Sequence, residues 1–519
     1  MRERVEQIRL LGGLRLGDAA IASAEVLPAF YEQRDFRTAW TAPALTDQLV
    51  AAIRSAYEDG LDPSDYHLAA IERMQRELAE ASSPSVDVQA SFDLLQTDAL
   101  IRLAYHLSFG KVDPERLDPD WKFDRDFGDL EPAQSLAEAL GSGDIAGLLA
   151  QARPQHPLYS QLRSALARYR AIAAQGGWPS VPDGPKLEKG MRGERVVALR
   201  KRLAASGEGP AGTPAVPNHF DEPLAQAVRG FQRRHGIPAD GVVGASTLEA
   251  LNVPVSGRID QIRVNLERAR WVLHEVKGDF LVVDIAAFNA AYIRNGETVW
   301  RSRVQVGTPY RKTPSFKSAI TYLVFNPTWT VPPTILKKDI LPAMQRGGNE
   351  IEKRGLKVLD RDGHPVDPGS VEWSRYRAAN FPYLLRQDSG PKNALGRIKF
   401  MFPNQHSVYL HDTPKKSLFD KPERAFSSGC IRIEHPIDLA ELLLDSAPRW
   451  DRDRILAAID SKTTRTVFLA RPVPILLLYW TVDFDEAGHV GFKKDIYERD
   501  RAVLEGLGQE SRFRARPAV

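Results

Sequence analysis

The apolar spacing of this chain changes partway along, and that change limits what it can fold into. In the N-terminal part apolar residues recur at helical intervals. From Phe280 onward the apolar runs are β-rich. The two periods, about 3.6 and 2 residues, belong to different kinds of layer. A chain holding both in separate blocks folds as separate helical and β units. With 519 residues it also exceeds what one hydrophobic core serves, so two to four domains are expected. The fold class expected is multidomain α+β.

The first block reads as helices. "LTDQLVAAIRSAYEDGLDP" places Leu49, Ile53, Ala56 and Tyr57 on one face, with Thr46 as expected N-cap, Gly60 as stop and Pro63 as breaker. Similar patterns occupy about 91–109, 132–150 and 157–175. The Gly/Pro-rich "QGGWPSVPDGPKLEKG" then marks a boundary. Beyond it, "ERVVALRKRLAASG" and "FDEPLAQAVRGFQRRHGIPADGVVGASTLEALNV" predict a small three-helix bundle. After one more helix, "IDQIRVNLERARWVLHEV", strands begin. Asn295-Gly296 in "RNGE" is a two-residue hairpin signal. A polar, helix-prone segment at 334–392 interrupts the strands and reads as an inserted lid. The expected domains are 1–180 (helical scaffold), 181–255 (bundle), 256–480 (mostly β, with the lid) and 481–519 (C-terminal tail).

Composition removes several functions. Seventy basic against 67 acidic residues leave a net charge of +3, no footprint of a nucleic-acid binder. The longest apolar run, "PILLLYW", is far short of the roughly 20 residues a membrane span requires. The opening "MRERVEQIRLLGGLRLG" lacks the continuous apolar stretch of an export signal. The histidines show no ligand spacing and the glycines form no phosphate loop, so neither a metal nor a cofactor is expected.

The one cysteine, Cys430, lies in "AFSSGCIRIEHP". A thiol with an ordinary pKa near 8.5 is mostly protonated at neutral pH, so a catalytic one needs a base. His411, in "HSVYLHDTP", stands at the end of an expected strand. Alternation would put Ser407, Tyr409 and His411 on one face, and Cys430 and Arg432 on one face of the next strand, "CIRI". Gly429, lacking a β-carbon, permits close backbone approach, and its amide with that of Cys430 would form an oxyanion hole. Taken alone, a lone cysteine and histidine read equally as a small buried hydrophobe and a residue without chemistry.

The stretch "HDTP…KSLF…RAFSSGCIRI" closely resembles the active-site signature of L,D-transpeptidases with a YkuD-type catalytic domain. "NPTWTVPPTI" and "GPKNALGRIKFMFPN" match its larger Gram-negative members, and "FQRRHGIPADGVVGAST" resembles the peptidoglycan-binding domain family. Smaller members carry histidine where this chain has Ser428, which leaves His411 as the base. The resemblance implies Cys430 as nucleophile, His411 as general base and acid, and the Asp412 carbonyl, in preference to its carboxylate, orienting the imidazole. Tyr409 either assists at the oxyanion or packs as an aromatic. Arg432 binds a stem-peptide carboxylate or fixes the loop. Ser427 and Ser428 stand at the substrate, and Trp329 lines the donor groove or sits in the core. The implied reaction is a 3→3 cross-link between peptidoglycan stem peptides, a tetrapeptide donor and a diamino-acid amine acceptor, with loss of D-alanine. The resemblance also implies carbapenem β-lactams as covalent inhibitors and a periplasmic location. Hydrolysis or amino-acid exchange at the same thioester, and a non-catalytic wall-binding protein, are the competing readings.

Overall fold

A computed structural model describes residues 1–117, 131–274, 276–445 and 450–509. Part of the expected scaffold (118–130) and the end of the expected tail (510–519) lie outside the described residues. The chain divides into two compact units, Met1–Val276 with Trp480–Val519, and Lys277–Tyr479. The helix Val255–Val272, which the sequence grouped with the strands, belongs to the first unit.

The first unit is helical. The helix expected to start at Thr46 spans Pro43–Ser55, opened by the proline at its first turn. Thr46 is buried and donates its hydroxyl to Gln96 Oε1 at 2.6 Å. The pattern read as one helix over 132–150 is two, Pro132–Ser142 and Ile145–Ala152. Gly143, at φ 73°, ends the first and Asp144 caps the second. The long helix Val86–Phe109 buries charge as well as hydrocarbon. Asp93 accepts from the amides of Ala39 and Trp40 and the Tyr31 hydroxyl, and Asp98 accepts from the amides of Ala22 and Ser23. These carboxylates hold loops that would otherwise bury unpaired N–H groups.

Helices Glu194–Ala205, Glu222–Arg234 and Ala245–Asn252 form the bundle around Val196, Leu199, Phe220 and Phe231. Gln232 ties it together: its amide nitrogen donates to Asp240 Oδ1 and the Val242 carbonyl, and its oxygen accepts from Gly241 N–H. Gly241 has φ 79°, so the turn needs a glycine there. Residues read only as a tail fold onto this unit as a hairpin, Val482–Phe484 with Val490–Phe492, and a helix, Asp500–Leu507. The Phe492 ring lies 5.4 Å from Tyr169 and 5.8 Å from His235. No helix among the described residues is long and apolar enough to cross a membrane.

The second unit is built on a nine-stranded sheet. Its strands are β1 (Phe280–Asp284), β2 (Asn289–Arg294), β3 (Glu297–Gly307), β4 (Phe316–Phe325), β9 (Ile398–Met401), β10 (Leu410–His411), β11 (Ala425–Ser427), β12 (Ile431–Ile433) and β13 (Arg465–Leu478). Between them, β5 (Trp329–Thr330), β6 (Lys357–Leu359), β7 (Pro365–Val366) and β8 (Leu384–Gln387) form a separate sheet in the order β5-β8-β6-β7. The large sheet runs β11-β3-β12-β10-β9-β4-β13-β1-β2, and β2 also pairs with β3, so it closes on itself. The β2–β3 turn is Asn295-Gly296, both at positive φ (52° and 80°), as a type I′ hairpin requires. The inserted segment has its own apolar core, including Trp329, Ile340, Leu356, Val358 and Leu385. The unit is thus a closed sheet carrying a small second core.

Candidate active site

Two short parallel strands assemble the site. In the β10–β12 pair Leu410 faces Ile431 and His411 faces Arg432. Ile431 N–H donates to the Tyr409 carbonyl at 3.1 Å, extending the ladder back toward Cys430. Leu410, Ile431 and Ile433 are buried on one side. Tyr409, His411, Cys430 and Arg432 therefore share the other. With strands about 4.8 Å apart and about 3.3 Å of rise per residue, His411 and Cys430 stand diagonally across neighbouring strands.

The strand carrying His411 is shorter than the sequence suggested. Ser407 adopts φ 55°, so alternation stops before it, and it does not join Tyr409 and His411 as a strand neighbour. Its carbonyl instead lies 3.7 Å from Cys430 Sγ. Asn404 fixes this bend: its Oδ1 accepts from the amides of His406 and Val408, and its Nδ2 donates to the Val408 carbonyl.

His411 is 3% exposed. Its Nδ1 donates to the Asp412 carbonyl at 2.5 Å, and that bond fixes the tautomer with Nε2 as the basic nitrogen. The Asp412 carboxylate is turned elsewhere, accepting from Arg397 N–H (2.9 Å) and Lys416 Nζ (2.6 Å). Burial, reinforced by the Arg432 charge, pulls the His411 pKa down to about 3. The imidazole is neutral at physiological pH.

Cys430 is half-buried. Burial pushes its thiol pKa up, opposed by the Tyr409 amide, the Lys399 ammonium, the Tyr409 hydroxyl and the Arg432 guanidinium. The two groups therefore rest as thiol and neutral imidazole at neutral pH. The Tyr409 hydroxyl lies within hydrogen-bonding range of the sulfur, and burial keeps that phenol protonated. Its ring also packs against the second core.

The "SSGC" turn requires two corrections. Gly429 N–H, read as an oxyanion donor, already donates to Ser427 Oγ at 3.0 Å. Ser427, read as a substrate contact, uses its hydroxyl on that amide and on the Cys430 carbonyl (2.5 Å), so it shapes the turn. Gly429 is needed for its φ of 119° rather than for close approach, because an added Cβ would meet nothing nearer than 3.8 Å. Ser428 is exposed and accepts from Arg311 Nη1 at 2.9 Å. Arg311 also pairs with Asp339 of the inserted segment at 2.7 Å.

Arg432 donates to Gln305 Oε1 at 3.2 Å, its Nε has no partner, and no carboxylate among the described residues pairs with it. A groove of about 1190 Å³ opens here, bounded by Arg432, Ser428, Trp329, Asp339, Glu350 and Asp388 among others. Trp329 is 7% exposed and belongs to the second core, yet an edge of it reaches the groove. The sequence reading missed Lys399, which stands opposite His411 in the β9–β10 pair. The available signal was a lysine inside the alternating "IKFM" strand.

Comparison with known proteins finds three matched segments. Residues 278–467 match the L,D-transpeptidase catalytic domain (YkuD), 192–251 a putative peptidoglycan binding domain, and 25–166 a scaffold domain. A curated "Putative L,D-transpeptidase" of Haemophilus influenzae is 36% identical over 243 residues, 47% of this chain and 48% of that protein. The chain spans about half the length of that relative. Among solved structures, an L,D-transpeptidase from Xylanimonas cellulosilytica aligns at 14% identity over 57% of this chain and 99% of its own, TM-score 0.18. One from Stackebrandtia nassauensis aligns at 14% over 58% and 96%, TM-score 0.21.

Proposed function

Since this chain carries a catalytic domain of the YkuD L,D-transpeptidase family, with a peptidoglycan-binding domain and a scaffold domain, we propose that it cross-links peptidoglycan stem peptides by acyl transfer through Cys430. The observation that carries this reading is the grouping of Cys430, His411, Tyr409 and Arg432 on one face of adjoining parallel strands. Of these four, Arg432 also lines a groove of about 1190 Å³.

The chemistry follows from the neutral resting pair. Cys430 attacks the carbonyl of the donor's third residue while its proton passes to His411 Nε2. The S–C bond forms and the carbonyl oxygen becomes an oxyanion. With the Gly429 amide committed, the donors are the Tyr409 hydroxyl and the Cys430 amide. An oxyanion donor of this kind contributes about 3–4 kcal/mol. The C–N bond to D-alanine breaks as His411 returns the proton to the leaving amine. The amine of a second stem's diamino acid then attacks the thioester, losing its proton through His411. The C–S bond breaks, giving the 3→3 link and the free thiol. Arg432 suits a planar carboxylate because its fork donates two parallel hydrogen bonds. A substrate in the cell wall places the working protein outside the cytoplasm, in the periplasm.

The test is incubation with a disaccharide-tetrapeptide, with mass spectrometry of the products. A cross-linked dimer with released D-alanine is expected. Tripeptide monomer alone would make water the acceptor and the enzyme an L,D-carboxypeptidase. No product at all, together with no carbapenem mass added to the protein beyond a Cys430→Ala control, would overturn the reading.

A further inference from the structure

Lys399 projects from β9 directly opposite His411. Opposed residues of an antiparallel pair share a face, so Lys399 joins the face of Tyr409, His411, Cys430 and Arg432. Its Nζ lies 3.8 Å from the centroid of the Tyr409 ring, within cation–π range. The residue is half-buried, and no carboxylate among the described residues pairs with its ammonium. The nearest carboxylate in sequence to that face, Asp412, is committed to Arg397 and Lys416. A desolvated ammonium without an anion works against folding. A Cys430 thiolate on the same face would supply an anion.

We propose that Lys399 is a positioning residue for Cys430: it clamps the Tyr409 ring so that the phenol faces the sulfur, and its charge stabilises the thiolate formed as His411 takes the proton. This rests on Cys430 being the nucleophile. The groups facing the sulfur are Tyr409 and His411 from β10, Arg432 from β12 and Lys399 from β9. Arg432 is the only other permanent cation among these four. Arg432 also bears on the sulfur, but its guanidinium is held by Gln305, whereas Lys399 is held against the Tyr409 ring. Lys399 acts on the sulfur, so its loss is visible with no substrate present.

The chain's one cysteine makes the test direct. Iodoacetamide alkylation of the full-length protein is followed by intact mass from pH 6 to 10 for wild type, Lys399→Met, Lys399→Gln and Lys399→Arg. Both neutral variants should move the alkylation profile up by about one pH unit, slowing the reaction at pH 7 roughly tenfold. Lys399→Arg should stay within about twofold of wild type, since it keeps the charge. Melting temperatures of the neutral variants should equal or exceed that of wild type, because an unpaired ammonium is removed. Superimposable profiles for wild type and both neutral variants would overturn the proposal, as would an equal shift in Lys399→Arg. If the profiles shift but wild type takes no carbapenem, the thiolate role of Lys399 stands and the transpeptidase reading fails.

Discussion

Burying a neutral imidazole makes the stability of the catalytic unit depend on pH, with a sign and size set by His411. Its folded pKa of about 3 lies below the ordinary value of 6.5 expected in the unfolded chain. Between those values the unfolded chain binds the extra proton and the folded one does not, so stability rises with pH across the window. The contribution is fully present above pH 6.5 and is lost as pH falls. The loss reaches about 2 kcal/mol at pH 5 and about 3 kcal/mol at pH 4. Burial also holds the His235 pKa well below its ordinary value, so the informative quantity is a difference. In His411→Asn the amide nitrogen stands where Nδ1 donates to the Asp412 carbonyl, and nothing titrates. Urea unfolding at pH 7.5, 5 and 4, read from amide exchange in the β10 and β12 segments, gives the stability of this unit. Wild type should lose about 2 kcal/mol more than His411→Asn between pH 7.5 and 5. Equal losses would refute a buried, neutral His411. With the imidazole already neutral, carbapenem acylation of wild type should show no acid limb near pH 6.5 and should accelerate toward alkaline pH as the thiol ionises.

Two further outcomes separate the roles around the thiol. Asp412→Asn should leave acylation within a few-fold of wild type while costing about 1–3 kcal/mol of stability through its bonds to Arg397 and Lys416. A fall of about 10⁴, as when a carboxylate orients the imidazole, would put the carboxylate rather than the carbonyl in that role. Gly429→Ala meets no clash, so its cost is torsional: φ of 119° should cost about 1–3 kcal/mol in urea unfolding and slow acylation. Unchanged stability and rate would show that the turn tolerates an L residue.

The nucleophile and base candidates were legible because each sits in a short motif. Strand alternation alone places Cys430 with Arg432 and Tyr409 with His411. What local pattern does not encode is register. Lys399 sits opposite His411 only because β9 and β10 pair at that offset, and nothing within "GRIKFMFPN" specifies the partner. Hydroxyl commitments are hidden in the same way. "SSGC" shows two serines, but only geometry reveals that Ser427 takes the Gly429 amide while Ser428 receives Arg311. In the helical unit, Asp93 and Asp98 read as ordinary helix carboxylates, yet their partners are loop amides 53 to 76 residues away. The "FQ…DG…T" signature was legible for the opposite reason: Gln232, Asp240, Gly241 and Thr247 bond one another locally. It is a signature of the bundle's turn and carries no direct statement about glycan.

Among the basic groups around the groove, Arg311, Arg354 and Lys357 are paired with carboxylates and the half-buried Arg432 is not. Arg311 is neutralised by Asp339, Arg354 by Glu350 and Lys357 by Asp388, so these pairs present little net charge to a ligand. The Arg311 pair also joins the turn beside Cys430 to the inserted segment through Ser428. Arg432 differs: half-buried and bonded to a neutral glutamine, it has no carboxylate partner among the described residues and lies on the face of Cys430. A desolvated guanidinium of that kind lowers the fold's stability unless an anion completes it. If Cys430 attacks as proposed, the ligand that recovers this cost brings a carboxylate close to the attacked carbonyl. A stem peptide ending in an amino-acid carboxylate one residue beyond the scissile bond meets that requirement, whereas an internal bond of an ordinary polypeptide brings no such charge.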